Sequence, residues 1–170
     1  GLESLSGIPR TIGGAIFTNA GGWNNPLIKT IGDSVESVKV MNFDGTLRTF
    51  LRKDLEFGYR SLKLPDCVIL EISLKLEKDD RDTLMKQYSS FLKLKRDKQD
   101  LDKLSAGCVF KNPAESMISS GQLIDMMGFK GKRSGSAQVS EKHANFIINT
   151  GGATFRDVMM LIDQIQSEVK

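Results

Sequence analysis

Five glycines between residues 7 and 22 place the strongest constraint on how this sequence can fold. They lie in the apolar segment SGIPRTIGGAIFTNAGG, which begins at Ser6 and ends at Gly22. Because glycine adopts positive φ angles and lets backbones approach closely, we expect a loop and then a short helix that packs against a flat surface. The exposed backbone N–H groups of such a segment can bind a phosphate or lie close to a planar ring. Tight packing of a glycine-rich turn explains the same spacing equally well.

Two common nucleotide-binding motifs are missing from this segment. It has neither the G-x-G-x-x-G pattern of a nicotinamide-binding βαβ unit nor the G-K-[ST] pattern of a phosphate-binding loop. A nucleotide bound here would therefore be held by a different arrangement.

The rest of the chain mixes strands and helices without a strict βαβ alternation, which predicts the α+β class. Residues 34–53 predict a hairpin whose turn is Asp44-Gly45. Residues 67–77 alternate between apolar and polar side chains, as a strand does. The charged stretch 77–82 then breaks the pattern, and we place a domain boundary there.

This boundary predicts two domains, residues 1–80 and residues 81–170. The second domain begins with apolar residues at helical spacing, and the basic stretch from Lys93 to Lys98 is typical of a solvated helix end. A turn that leads into a short strand is predicted over 105–113, followed by a helix from Met117 to Met127 that ends at Gly128. Two short strands are predicted between Ala137 and Thr150, and the last helix is capped by Thr154.

Composition excludes several classes of protein. A net charge of +3 with dispersed basic residues argues against nucleic acid as a partner, and no apolar run approaches the roughly 20 residues that cross a bilayer. Two cysteines and one histidine give neither a disulfide framework nor a histidine-rich metal site, and they suit a reducing cytoplasm. The chain begins directly at the glycine-rich segment and ends inside a helical pattern, so we expect it to be part of a longer protein.

Two residues outside the glycine-rich segment carry recognisable chemistry. Arg60 follows Gly58 and Tyr59, and its planar guanidinium can bind a carboxylate through two hydrogen bonds. Cys108 follows Ala106 and Gly107. Taken alone, Arg60 is equally well explained as a surface cation, and Cys108 as a small buried apolar residue.

Four segments together resemble the MurB family of UDP-N-acetylenolpyruvoylglucosamine reductases. They are SGIPRTIGGAIFTNAGG, FGYRS, SAGCVFKNP and LIDMMGFKGKRSGSAQVSEKHANFIIN, and their order and spacing agree with the family across essentially the whole chain. The resemblance implies the C-terminal part of a vanillyl-alcohol-oxidase-type FAD-binding domain, followed by a truncated MurB substrate-binding domain. Only a helix fits between Leu76 and Lys98, which indicates the shorter subtype of the family.

The resemblance also implies an activity. The family uses FAD and NADPH to reduce UDP-N-acetylglucosamine enolpyruvate to UDP-N-acetylmuramate, a step of peptidoglycan synthesis on which cell shape and division depend. Arg60 matches the family's arginine that polarises the substrate carboxylate. Cys108 matches the residue that protonates the substrate carbon, usually a serine. A free thiol, with a pKa of about 8.5, is more acidic than a hydroxyl and suits that role. The family's LEPEVR motif, which carries a further glutamate, has no counterpart here, and Glu168 belongs to the last helix.

The same resemblance identifies binding residues. Arg10 stands where the family usually has glycine. The φ angle that glycine would allow at this position is therefore in doubt for this chain. The residues that match the flavin loop are Ser6, Gly7, Ile8, Pro9, Thr11, Gly13, Gly14, Ala15, Asn19 and Ala20. The residues that match the substrate pocket are Tyr59, Lys98, Asn112, Lys130 and His143. Each substrate residue also has an ordinary explanation, as a solvated lysine, a turn asparagine or a hydrogen-bonded histidine.

Three functions remain open from the sequence. The first is the reductase or a part of it, and we expect this chain to be inactive on its own. The second is another flavoprotein of the wider fold family, such as an alcohol or aldonolactone oxidase, although such enzymes lack the SAGCVFKNP segment. The third is a non-catalytic module that binds a UDP-sugar.

Overall fold

The computed structural model describes residues 1–22, 29–114 and 116–169. Contacts within the chain divide it into two compact units, Gly1–Lys93 and Leu94–Lys170, and each is described by itself. Strands and helices occur together in both units, so the predicted α+β class is confirmed. Within the described ranges, no helix has the length and apolar character needed to cross a membrane.

The first unit is built on an antiparallel sheet. Its helices are α1 (Ile12–Phe17) and the start of α2 (Arg81–Lys98), and its strands are β1 (Val35–Asn42), β2 (Leu47–Leu51), β3 (Glu56–Gly58), β4 (Ser61–Lys63) and β5 (Cys67–Leu74). Short 3-10 helices span Glu3–Leu5, Ile31–Ser34 and Arg52–Asp54. The main sheet has the strand order β2-β1-β5, and β3 and β4 form a separate hairpin.

The predicted hairpin is confirmed as β1 and β2. Gly45 has a φ of 85°, which glycine adopts without strain. The Asp44 carboxylate accepts a hydrogen bond from the Thr46 backbone N–H at 2.9 Å, which closes the turn. Alternation along β1 and β2 places Val38, Val40 and Phe50 on the buried face of the sheet.

The sequence did not predict the β3–β4 hairpin. Each strand has only three residues, with Glu56 opposite Lys63 and Gly58 opposite Ser61, which is too short to show alternation. Tyr59 and Arg60 are the two residues of its turn, and Arg60 has a φ of 53°. One of the predicted catalytic residues therefore lies in a turn with a left-handed backbone.

The second unit has a four-stranded antiparallel sheet with the order β6-β9-β8-β7. Its elements are β6 (Leu104–Cys108), α3 (Ser120–Met126), β7 (Arg133–Ser134), β8 (Ala137–Val139), β9 (Phe146–Asn149) and α4 (Phe155–Glu168). The core of this unit consists of Ile124, Phe129, Ala137, Val139, Ala144, Ile147, Leu161 and Ile165.

Local capping sets the ends of both helices in the second unit. Thr154 and Asp157 form the predicted capping box of α4. Ser119 and Gln122 form a second capping box, so α3 begins at Ser120 rather than at the predicted Met117. Gly128 follows α3 with a φ of 69°, as the sequence predicted for a left-handed cap.

Two details differ from the predictions. The segment 105–113 was expected to turn first and then form a strand, but the strand is β6, Leu104–Cys108, and it comes first. The end of α2 is not uniformly solvated, because Lys95 is half-buried and its burial lowers the pKa of its ammonium group.

Candidate functional site

The predicted flavin loop leads into the short helix α1. Thr11 caps the helix, because its hydroxyl oxygen accepts a hydrogen bond from the Gly14 N–H at 3.2 Å. Gly7 has a φ of 75°, and the Ser6 hydroxyl donates to the Glu3 carbonyl. A methyl group added at Gly13 would have no atom within 4 Å. The loop and the first turn of α1 therefore present an open surface with little side-chain bulk.

Arg10, which replaces the family's usual glycine, causes no backbone strain. Among the described residues, the non-glycine positions with positive φ are Asn19 and Arg60. The Arg10 guanidinium instead donates a hydrogen bond to the Thr18 hydroxyl at 2.8 Å, on the surface of the unit. The backbone at this position therefore adopts a negative φ, which arginine tolerates.

Asn19 is buried and uses its side chain inside the protein. Its φ is 41°, a conformation that asparagine tolerates better than most residues. The amide nitrogen donates to the Gly58 carbonyl at 3.1 Å, and the amide oxygen accepts from the Gly32 N–H at 3.1 Å. The side chain of this predicted flavin residue thus joins the end of α1 to the β3–β4 hairpin.

Arg60 is held against the same loop. Its Nη1 atom donates to the Gly21 carbonyl at 2.9 Å, and its guanidinium carbon lies 5.3 Å from the centre of the Tyr59 ring. Together with the bond between Asn19 and Gly58, this makes two ties between segments 39 residues apart in sequence. The fold of the first unit therefore brings the predicted carboxylate-binding arginine next to the end of the predicted flavin loop.

In the second unit, Cys108 is the last residue of β6 and its thiol is exposed. The pairing of β6 with β9 shifts register between Ser105 and Cys108, and Gly107 has a φ of 84°. The irregular pairing re-aims the end of the strand, which is a frequent feature of functional sites.

The asparagine and the lysine of the predicted substrate pocket both lie beside α3. The Asn112 side-chain oxygen accepts a hydrogen bond from the Ser120 N–H at 3.1 Å, at the first turn of the helix. Lys130 forms an ion pair with Asp125 at 2.7 Å, and both side chains are partly exposed. An exposed ion pair of this kind contributes little to stability, so Lys130 can exchange partners at small cost.

His143 packs against the same helix. Its Cε1 atom lies 3.2 Å from the position that a side chain on Gly121 would occupy, and its ring centre is 4.7 Å from that of Phe146. Burial lowers the pKa of His143, and the charge of Lys130 adds to this effect. Asn112 and His143 therefore lie at the first turn of α3, whereas Lys130 follows the helix and pairs with Asp125 in its last turn.

The two other predicted substrate residues lie elsewhere. Lys98 is exposed in the last turn of α2, and Tyr59 is half-buried in the β3–β4 turn. Tyr59 and Arg60 belong to the first unit, whereas Cys108 and the residues around α3 belong to the second. A shared cleft for Arg60 and Cys108 stays a prediction.

Sequence reasoning missed three buried polar residues that support the site in the second unit. The Ser140 hydroxyl donates to the Asp100 carboxylate at 2.6 Å and accepts from the backbone N–H groups of Lys142 and His143, each at 3.0 Å. Asn145 binds the backbone of Phe110 through its side chain. Their signal in the sequence was the presence of small polar residues on both sides of the histidine in SEKHANFIIN.

Comparison with known families gives the class of this protein. Residues 1–51 match the family model described as FAD binding domain. Residues 99–170 match the model described as UDP-N-acetylenolpyruvoylglucosamine reductase, C-terminal domain. The chain thus joins part of a flavin-binding domain to the C-terminal domain of a reductase.

Individual relatives carry the same name. The chain is 41% identical to the UDP-N-acetylenolpyruvoylglucosamine reductase of Thermotoga maritima, covering 100% of this chain and 58% of the relative. It is 39% identical to that of Clostridium botulinum strain 657, covering 100% of this chain and 54% of the relative. It also resembles the crystal structure of the reductase from Thermus caldophilus, with a TM-score of 0.87, 36% identity, and coverage of 99% of this chain and 60% of the other.

These similarities confirm the resemblance seen in the sequence. Over essentially its whole length, the chain is similar to members of the UDP-N-acetylenolpyruvoylglucosamine reductase family, MurB. It spans between about half and three fifths of the length of the relatives that it matches.

Proposed function

We propose that this chain provides part of the active site of a UDP-N-acetylmuramate dehydrogenase. In this role it takes part in the NADPH-dependent reduction of UDP-N-acetylglucosamine enolpyruvate in the cytoplasm, with residues 1–80 serving the flavin and residues 81–170 the substrate. The observation that carries the proposal is the double tie of the Arg60 turn to the flavin loop, through Asn19 and Gly21. It supports an arginine fixed beside the cofactor, where it can bind the substrate carboxylate while the neighbouring vinyl group is reduced.

The flavin loop suits the cofactor in its surface properties. Bound FAD would supply the hydride, which it receives from NADPH. Gly13 leaves space for a large planar group, and Ile12 and Phe17 are 54% and 60% exposed, which gives an apolar surface beside it. We propose that the flavin is bound by the ten residues already matched to the family's loop. Asn19 would contribute through its backbone, because its side-chain amide already bonds to Gly58 and Gly32.

Arg60 has an electrostatic role in the proposal. Hydride addition to the distal vinyl carbon builds negative charge on the enolpyruvyl carboxylate, and a fixed cation lowers the energy of that charge. The guanidinium is fixed in advance by its hydrogen bond to Gly21 and by its position over Tyr59. Its remaining N–H groups can bind the carboxylate in the planar fork geometry.

Cys108 has the role of the proton donor. Its exposed thiol would transfer a proton from Sγ to the carbon next to the carboxylate, and the resulting thiolate would take up a proton from solvent. Lys98, Asn112, Lys130 and His143, with Tyr59 from the first unit, would bind the UDP-sugar. Lysines suit a diphosphate because an ammonium group is a compact charge.

The proton-donor role predicts that Cys108→Ser retains activity in an enzyme completed with the rest of the family's length. A serine stands at this position in most of the family, and its hydroxyl can reach the same carbon. NADPH oxidation with the enolpyruvyl substrate measures the effect, and Cys67→Ser serves as the matched control. Loss of turnover in a folded Cys108→Ser variant would contradict the assignment.

For the 170 residues alone we propose weak or no FAD binding and no turnover. The relatives devote a further two fifths of their length to parts that this chain does not match. The experiment is an absorption spectrum of the purified chain mixed with FAD, followed by an NADPH oxidation assay. Stoichiometric bound flavin would contradict this part of the proposal.

The second candidate function is a non-catalytic module that binds a UDP-sugar. It is favoured by the grouping of Asn112, Lys130 and His143 within one compact unit. An enzyme completed with the rest of the family's length separates the two functions, because the chain alone is expected to be colourless in both cases. A completed protein that binds FAD and oxidises NADPH with the enolpyruvyl substrate supports the reductase. A completed protein that binds UDP in a calorimetric titration but does not turn over supports the module.

A further inference from the structure

Asn145 connects two segments of the proposed substrate site, and the inference drawn from it rests on the proposed function. The residue is 3% exposed and lies between His143 and β9. Its side-chain oxygen accepts from the Phe110 N–H at 2.9 Å, and its side-chain nitrogen donates to the Phe110 carbonyl at 2.9 Å. An asparagine amide donates and accepts as a peptide group does, so it acts as a strand partner for Phe110 beyond the end of β6.

These bonds fix the chain between two predicted site residues. Phe110 lies two positions after Cys108 and two before Asn112. The Asn145 carbonyl also accepts a hydrogen bond from the Val109 N–H at 2.9 Å. Because three bonds hold consecutive residues, the placement of the thiol and of the asparagine both depend on Asn145.

The backbone of Asn145 controls the histidine. Its N–H donates to the Nδ1 atom of His143 at 3.2 Å. A backbone N–H can only donate, so Nδ1 carries no proton and the proton of the neutral ring sits on Nε2. Burial of the ring, together with the charge of Lys130 and the contacts with Phe146 and α3, favours this neutral form.

We propose that Asn145 is the positioning residue of the UDP-sugar site. It holds the segment from Cys108 to Asn112 in register with His143, and it makes His143 a neutral donor whose Nε2–H binds an acceptor oxygen of the ligand, such as a phosphate or sugar oxygen. Asn145 itself contacts protein rather than ligand, so its effect on binding passes through Phe110 and His143.

The histidine part is tested by nitrogen NMR of the whole 170-residue chain. The chain has one histidine, so the two ring nitrogen signals belong to His143 without further assignment. At neutral pH we expect one protonated nitrogen, identified as Nε2, and one bare nitrogen. A proton on Nδ1, or a doubly protonated ring, would overturn this part, whether or not UDP binds.

The positioning part is tested with three variants titrated with UDP. Asn145→Asp keeps the oxygen that accepts from Phe110 but loses the donor, and Asn145→Ala loses both. Asn149→Ala is the matched control, since Asn149 lies at the other end of β9 and its oxygen binds the N–H groups of Gly151 and Ala153. We expect UDP affinity to fall about tenfold or more in both Asn145 variants and to be unchanged in the control.

Exchange of the Phe110 amide hydrogen gives a second measurement that does not depend on UDP. Exchange should speed up in Asn145→Ala, which removes the acceptor of the Phe110 N–H, while Ile148 stays protected, which shows that β9 is still folded. Faster exchange of Phe110 with unchanged UDP affinity would overturn the positioning role. If the unmodified chain does not bind UDP, the proposed function fails, and slow exchange of Phe110 in Asn145→Ala would then overturn the positioning role as well. If Asn145→Ala does not fold, the UDP affinity of Asn145→Asp decides alone.

Discussion

Replacement of Asn19 by alanine should strongly destabilise the first unit. Asn19 is 1% exposed, and its loss leaves the buried Gly32 N–H without its partner, at a cost of about 1–3 kcal/mol. The Gly58 carbonyl is partly exposed and can bind water instead, so its lost bond costs about 1 kcal/mol. Alanine at a φ of 41° adds about 1–2 kcal/mol of backbone strain. We therefore expect a decrease of about 3–6 kcal/mol in the free energy of unfolding of this unit.

Native-state hydrogen exchange measures this effect unit by unit. The amides of Val38 and Val40 report on the first unit, and that of Ile148 reports on the second as an internal control. Asn19→Gly removes the same hydrogen bonds without the strain, so it should be about 1 kcal/mol less destabilising than Asn19→Ala. Asn42→Ala is the matched control, because the Asn42 amide makes an exposed bond to Thr46. The reasoning is refuted if Asn19→Ala changes the exchange of Val38 no more than Asn42→Ala does.

Three further predictions concern the helix caps, the histidine and the thiols. Thr154→Ala removes the side chain that caps α4 and should lower the stability of the second unit by about 1 kcal/mol, as measured by chemical denaturation. Because the pKa of His143 lies below 6.5, the unfolded chain binds its proton first as the pH falls. The contribution of His143 to stability should be fully present above the pKa of an unfolded histidine and be lost as the pH falls below it, and His143→Gln should reduce that pH dependence. Burial raises the pKa of the Cys67 thiol, so at neutral pH iodoacetamide should modify the exposed Cys108 faster than Cys67, as peptide mass spectrometry would show.

Local rules predicted most of the elements that the structure contains. The β1–β2 hairpin followed from Asp44-Gly45 and the flanking alternation, and the start of α4 followed from Thr154 and Asp157. The turn and the capping box each depend on residues within four positions of one another, and alternation is a periodic pattern, so one sequence is enough to find these features. The helix α3 begins three residues after the predicted Met117, because Ser119 and Gln122 form its capping box.

The supports of the candidate site were not predictable in the same way. The resemblance selected Arg60, Cys108 and His143, but it did not indicate what holds them. The bond from Asn19 to Gly58 and the bond from Arg60 to Gly21 each span 39 residues, and the side-chain bonds between Asn145 and Phe110 span 35. No local sequence pattern indicates a partner at that distance. The left-handed turn at Arg60 also escaped prediction, since arginine rarely adopts a positive φ.

Each of the two units contains a buried asparagine that holds a loop in place. Each must fix a loop that no strand pairs with along its whole length, and each uses one buried asparagine that binds the backbone of a distant segment, Asn19 in the first unit and Asn145 in the second. An amide suits this task because it offers a donor and an acceptor at once, whereas a carboxylate of the same shape only accepts. Asparagine-to-aspartate changes at these two positions therefore remove one donor each while preserving shape. They should loosen the loops that carry the proposed flavin and substrate contacts more than they disturb the sheets beneath them.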